Sequence, residues 1–331
     1  MSHIRTGGIG VVFALFQSGI LSLHAQPAAV QQLQNNQISR ELQVPVTGLA
    51  AGTNAPELYR GENEDVGPQR ILRLNPRRTD FDVLFDSQFF FSDDANFAQE
   101  QFSIASPVFV NTVQAAFAPS AVQFGSGKIA AAVGVASQWY NYGDNRLAPL
   151  DFNAETLFVS GKYNLDKWQF GLGMNLTRLV SQGDYNETYR EFMPNFGVQR
   201  ILPLNDRMFF SVGDLVDYHL TEVPGALGSR TDINDRFDNI ASLTFTWQAT
   251  RHLIFQPYYR FQYSYYQHDT LATSDRNDYL QGFGLTAAYY FNTKISVRAF
   301  YNYNRKQSDD QFTPAYHEMN GGLGASLDIK F

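Results

Sequence analysis

The residue types best suited to chemistry are sparse. Past residue 25 the chain holds four histidines, His219, His252, His268 and His317, and it has no cysteine. His317-Glu-Met-Asn-Gly321 offers the histidine no hydroxyl or thiol to activate. His268, Asp269 and Asp275 share one polar stretch, which a hydrolase would use and which any exposed loop also shows. Gly125-Ser-Gly-Lys-Ile129 has neither the spacing nor the Ser or Thr of a phosphate-binding loop. The four histidines are spread along the chain, so no transition-metal site is expected, and Asp232-Ile-Asn-Asp235 lacks the Gly and closing Glu of a calcium loop. The expectation is therefore no catalytic, cofactor or metal site, and a protein that is not an enzyme.

The composition limits what elements must position these residues. The chain has 331 residues with 44% hydrophobic, 17% charged and 15% aromatic residues, 28 of them Phe and 18 Tyr. The mean hydropathy is nevertheless only −0.29. Past residue 25 no run approaches the ~18 apolar residues of a spanning helix, so a membrane protein of this sequence must use strands. A formal net charge of −7 without clustered Lys or Arg argues against nucleic-acid binding.

Residues 1–25 read as a secretory signal peptide: a short polar start with Arg5, an apolar run from Ile9, and Leu21-Ser-Leu-His-Ala25 at the end. Residues 26–79 form a leader with Gln31-Gln-Leu-Gln-Asn-Asn-Gln37 and scattered Pro and Gly. Val30, Leu33 and Leu42 mark a candidate short helix, although the Gln and Asn richness favours irregular chain. As a periplasmic leader this segment has three available roles: tether, short trimerising coil, or plug.

From Asp80 to Phe331 the period is two. Leu323, Ala325, Leu327, Ile329 and Phe331 alternate with Gly324, Ser326, Asp328 and Lys330; Phe255, Tyr259, Phe261, Tyr263 and Tyr265 alternate with Gln256, Tyr258, Arg260, Gln262 and Ser264. Short turns near 166, 205, 250 and 293, with a looser one around 118–127, alternate with longer polar loops. That is the asymmetry of a transmembrane barrel, and strands of ten to seventeen residues exceed the five or six usual in soluble sheets. The predicted fold is all-β, an antiparallel up-and-down transmembrane barrel of twelve strands, with ten to fourteen allowed. Asp214 shares parity with Val212 and Val216, which points to a bulge or an error of parity.

Gly324-Ala-Ser-Leu-Asp-Ile-Lys-Phe331 resembles the C-terminal signal that delivers Gram-negative outer-membrane barrels to the barrel-assembly machinery, with Phe331 as its final residue. The resemblance implies the bacterial outer membrane, both termini in the periplasm, and lipid and lipopolysaccharide as neighbours. His317-Glu-Met-Asn-Gly321 resembles the nucleophile run of outer-membrane phospholipase A with the serine replaced by Met319, and it is expected in the loop before the last strand. Acids crowd the predicted outer loops, among them Asp93, Asp94, Asp144, Asp184 and Asp232, as solvated groups or as ligands for cations that bridge lipopolysaccharide.

Parity assigns the lumen. Asp82, Asp86, Gln88, Lys162, Tyr258, Arg260, Arg298 and Lys330 point inward, and so do Tyr290 and Phe300. Asp82 and Lys330 fall near the periplasmic ends of strands that meet at closure and are expected to pair. Arg260 and Arg298, with no inward acid read on strands eight to eleven, are expected to form a basic constriction with Lys162 and Tyr258. The function expected is a porin-like channel for small polar solutes, with a homotrimer by analogy. The rival expectation is a non-conducting barrel serving as anchor, adhesin or export accessory.

Overall fold

The computed structural model describes residues 29–35, 80–223, 230–268, 276–310, 313 and 315–331. The expected signal peptide and most of the leader lie outside the described residues.

Among the described residues thirteen strands follow in chain order: β1 (Phe81–Ser92), β2 (Ser106–Phe117), β3 (Val122–Phe124), β4 (Gly127–Tyr142), β5 (Phe152–Leu165), β6 (Trp168–Ser181), β7 (Glu187–Asn205), β8 (Met208–Glu222), β9 (Arg236–Gln248), β10 (Leu253–Tyr266), β11 (Asn277–Tyr290), β12 (Ile295–Ser308) and β13 (Tyr316–Lys330). β3 is a three-residue arm that pairs only with the start of β4. The other twelve each pair antiparallel with their chain neighbours, β1 pairs with β13, and β2 skips β3 to pair with β4. The result is a closed twelve-strand up-and-down barrel, as the alternation predicts.

Which face is covered identifies the solvent. Phe81, Phe85, Phe89 and Phe91 of β1 are 43–57% exposed, while Asp86, Gln88 and Ser92 between them are at most 5% exposed. A soluble sandwich buries the apolar face and wets the polar one, so this inversion belongs to a barrel in lipid. On β10, Arg260 is 1% exposed whereas Tyr265 of the opposite parity is 38% exposed.

The turns follow from local chemistry. β5 and β6 are joined by Asp166 and Lys167, and Asp166 takes φ 51°, a left-handed conformation that Asp tolerates better than most residues. Gly125 takes φ 56° at the tip of the β3–β4 hairpin, where glycine has no side chain to strain.

Three expectations are corrected. Asp214 marks neither a bulge nor an error of parity: β8 pairs with β9 without a register shift, and Asp214 faces outward and accepts a hydrogen bond of 2.9 Å from Asn239. The register shifts fall at Leu179/Val180 and Pro203/Asn205. His317 and Met319 are not in a loop but on the outward face of β13, continuously paired with β12. Residues 29–35 form a helix despite their amides, because the barrel encloses them.

Candidate functional site

The helix at 29–35 lies inside the barrel. Ala29, Val30 and Leu33 are buried, and so are the polar Gln32 and Asn35, which a surface helix would leave in water. The apolar side packs in one cluster with Phe90 of β1, Val108 and Val110 of β2, Tyr140 of β4, Ala154 of β5 and Leu179 of β6. All of these point inward near the ends of the strands that carry the longer loops. On this side the inner wall is apolar, and a helix covers it. Burying Val30 and Leu33 is worth about 1.5–3 kcal/mol each.

The opposite wall is charged. Arg298 on β12 makes two hydrogen bonds to Asp86 on β1, at 2.6 and 2.9 Å, and a third to Ser326 at 2.9 Å. His219 on β8 is clasped between Glu191 (2.6 Å) and Asp238 (3.0 Å), and Arg236 also binds Asp238 at 3.2 Å. Arg276 and Lys306 both meet Asp278, at 2.5 and 2.8 Å. Strands β9 and β11 thus do carry inward acids, Asp238 and Asp278, against the sequence reading. The parity that places Thr244 and Thr246 inside places Asp238 there as well. Asp238 lies only three residues past Asp235, the end of an acidic loop.

Arg260 is the exception on this wall. It is 1% exposed, and its Nη2 donates to Asn35 of the helix at 2.5 Å and to Asn304 at 3.1 Å. Among the described residues Arg236, Arg276 and Arg298 pair with carboxylates, whereas Arg260 has only amide partners, and its Nε and Nη1 find none. Tyr258 donates its hydroxyl to Asn302 at 2.8 Å. Gly282 and Gly284 on β11 make room for these two side chains; a Cβ at Gly282 would fall 2.7 Å from Arg260 Nε. The four residues expected at the constriction do not come together. Arg298 is neutralised by Asp86, and Lys162 is exposed near the short-turn end of β5, across the barrel from β10. Only Arg260 and Tyr258 share a strand and a face.

At the seam, Asp82 is the register partner of Lys330, with Nζ 3.6 Å from Oδ2, and Asp328 shares the same ammonium at 3.5 Å. Phe331 N donates to Phe81 O at 2.9 Å, and its ring is 64% exposed. In the loop after β1, Asp94 is 3% exposed, and loss of water pushes its carboxyl up to about 7. A groove of about 550 Å³ opens on the outer wall, lined by Val113, Ala115, Val135 and Leu157 and rimmed by Glu155 and Arg178, which pair at 2.6 Å. It faces lipid, so it is no place for a solute crossing the lumen.

No protein-family model matches the sequence, and no curated protein is similar to it. By structure the chain is similar to the COG4313 outer membrane channel from Pseudomonas putida F1, at 13% identity and a TM-score of 0.51 over 80% of this chain and 100% of that one. The fold is that of an outer-membrane β-barrel. The translocator domain of the autotransporter NalP from Neisseria meningitidis is similar at 13% identity and a TM-score of 0.43, over 91% of this chain and 97% of that one. The NanC porin is similar at 11% identity and a TM-score of 0.43, over 73% and 98%.

Proposed function

We propose that this outer-membrane barrel is a channel for small polar solutes, closed by the helix at 29–35. The observation that carries the reading is the hydrogen bond from Arg260 to Asn35. It ties the one lumen arginine without a carboxylate partner, among the described residues, to a short segment whose apolar anchors are Val30 and Leu33. When the helix withdraws, Arg260 regains donors that point into the lumen, where they favour solutes bearing carboxylate or hydroxyl groups. The wall around it is polar, with Gln256, Gln262, Asn302 and Asn304 all facing inward.

A second reading is favoured by the opposite wall. Phe90, Val108, Val110 and Leu179 would meet water if the helix left, which supports a lumen that stays filled and a barrel acting as anchor or export accessory. Planar-bilayer conductance separates the two. The channel reading expects low conductance for the refolded chain and a several-fold rise for Leu33→Asn and for deletion of residues 26–79. Absence of conductance in all three forms would sink it and leave the filled barrel.

A further inference from the structure

On the loop side of the barrel, Asp232 and Asp235 in the connection between β8 and β9 meet His268, just past the end of β10. We propose that these three side chains hold a divalent transition-metal ion, with zinc the best match to one imidazole nitrogen and two carboxylate oxygens. His268 Nε2 lies 3.4 Å from Asp232 Oδ2 and 3.7 Å from Asp235 Oδ2, and the three candidate ligand atoms are mutually within 4.8 Å. Zinc holds nitrogen and oxygen ligands at about 2.0–2.2 Å, so tetrahedral ligand atoms stand roughly 3.4 Å apart. The two separations from His268 already have nearly that value.

The backbone around it is fixed before any ion arrives. Asp235 is 7% exposed, and its Oδ1 accepts hydrogen bonds from Thr221 N at 2.6 Å and Thr221 Oγ1 at 2.9 Å, which turns Oδ2 toward the imidazole. Asp235 N donates to Asp232 O, and Gln267 N donates to Asp235 O, both at 3.0 Å, so the loop and the strand end are joined at the residues beside the ligands. Such outer contacts orient metal ligands. Asp232 and His268 keep 37% and 20% of their side-chain surface exposed, which leaves the ion an entry path and a position for water.

Arg230 competes for the site. Its Nε and Nη2 each donate to Asp232, at 2.8 Å, and its side chain is 61% exposed, free to swing away when a cation takes its place. The ion would cross-link the β8–β9 connection to the end of β10, immediately above Arg236 and Asp238 of the charged wall. It would pin the rim of the lumen on that side.

The test is equilibrium dialysis and calorimetry of the refolded full chain with zinc chloride at pH 7.5, with heat-modifiable gel migration confirming that every variant is folded. Wild type is expected to bind one zinc that His268→Ala and Asp235→Asn each weaken at least tenfold. Arg230→Ala is expected to bind more tightly, and His252→Ala, at a short turn on the other rim, to bind as wild type. The proposal is overturned by a folded wild type that takes up no zinc, by His268→Ala binding as wild type does, or by calcium binding in preference to zinc.

Discussion

The two walls of the lumen solve one problem in opposite ways. From β1 through β6 the inward side chains near the loop end are Phe90, Val108, Val110, Tyr140 and Leu179, and they exclude water by packing on a helix. From β8 through β13 they are Arg236, Asp238, Asp278 and Arg298, each held by ion pairs, and the partner of Arg298 is Asp86 of β1. The first wall is complete only with something in the lumen. The second is held together by ion pairs and needs no helix for them, although Arg260 donates to Asn35 and its Nε and Nη1 find no partner. An inward position is therefore not the same as a wet one: the surroundings of each face, rather than its parity, decide which residues it tolerates.

The contrast can be broken from either side. Asp238→Ala should have the largest effect, because it leaves the buried Arg236 without its ion-pair partner and His219 with Glu191 alone; removing one member of such a cluster costs about 3–5 kcal/mol, read as a lower denaturant midpoint. If the unfolding midpoint hardly moved, the charged wall would not be self-sufficient. Leu179→Ala on the other wall leaves a cavity against the helix and should cost about 2–4 kcal/mol. That loss should shrink when residues 26–79 are deleted, since the partner surface is then gone; an equal loss in both backgrounds would mean the helix does not cover Leu179.

Asp94, in the loop beside the apolar wall, gives a pH signature. Its folded carboxyl titrates near 7, above the usual carboxylate range, so between about pH 4 and 7 the folded chain keeps a proton that the unfolded chain has lost. Stability attributable to this group is greatest below pH 4 and falls as pH rises through 7. Asp94→Asn should accordingly raise stability at pH 8 by about 2 kcal/mol and change little at pH 4. A pH dependence identical to wild type would show that Asp94 is not held in a dry place. The smallest effect belongs to neither wall: Arg178→Ala breaks an exposed pair with Glu155 on the outside and should cost less than about 1 kcal/mol by the same denaturation assay.

The barrel was legible because alternation and turn length are local properties. Phe331, Leu327 and Leu323 fall on one face whatever the rest of the chain does, and the short connections at Asp166-Lys167 and Asp206-Arg207 are visible as turn residues between apolar runs. The lumen was legible only in part. Parity puts both Arg260 and Arg298 inside, but their difference depends on Asp86 and Asn35, which approach from distant parts of the chain. Asp214 looked like an error of parity because a polar residue on the lipid side is unusual, and its partner Asn239 lies on the neighbouring strand. The sequence groups His268 with Asp269 and Asp275 of its own loop, whereas Asp232 and Asp235 come beside it only when β8, β9 and β10 lie side by side.

The seam where Asp82 faces Lys330 and Phe331 N reaches Phe81 O also sets an order of events. The first strand of the wall has no final neighbour until the last strand arrives, so the wall cannot close while later residues are missing. Contacts this distant in sequence make assembly slow and dependent on the whole chain. The helix at 29–35 precedes all of them, and it must either be enclosed as the wall shuts or enter afterwards through a mouth. Cross-linking β1 to β13 before the helix is allowed to dock would tell a captive helix from a visiting one.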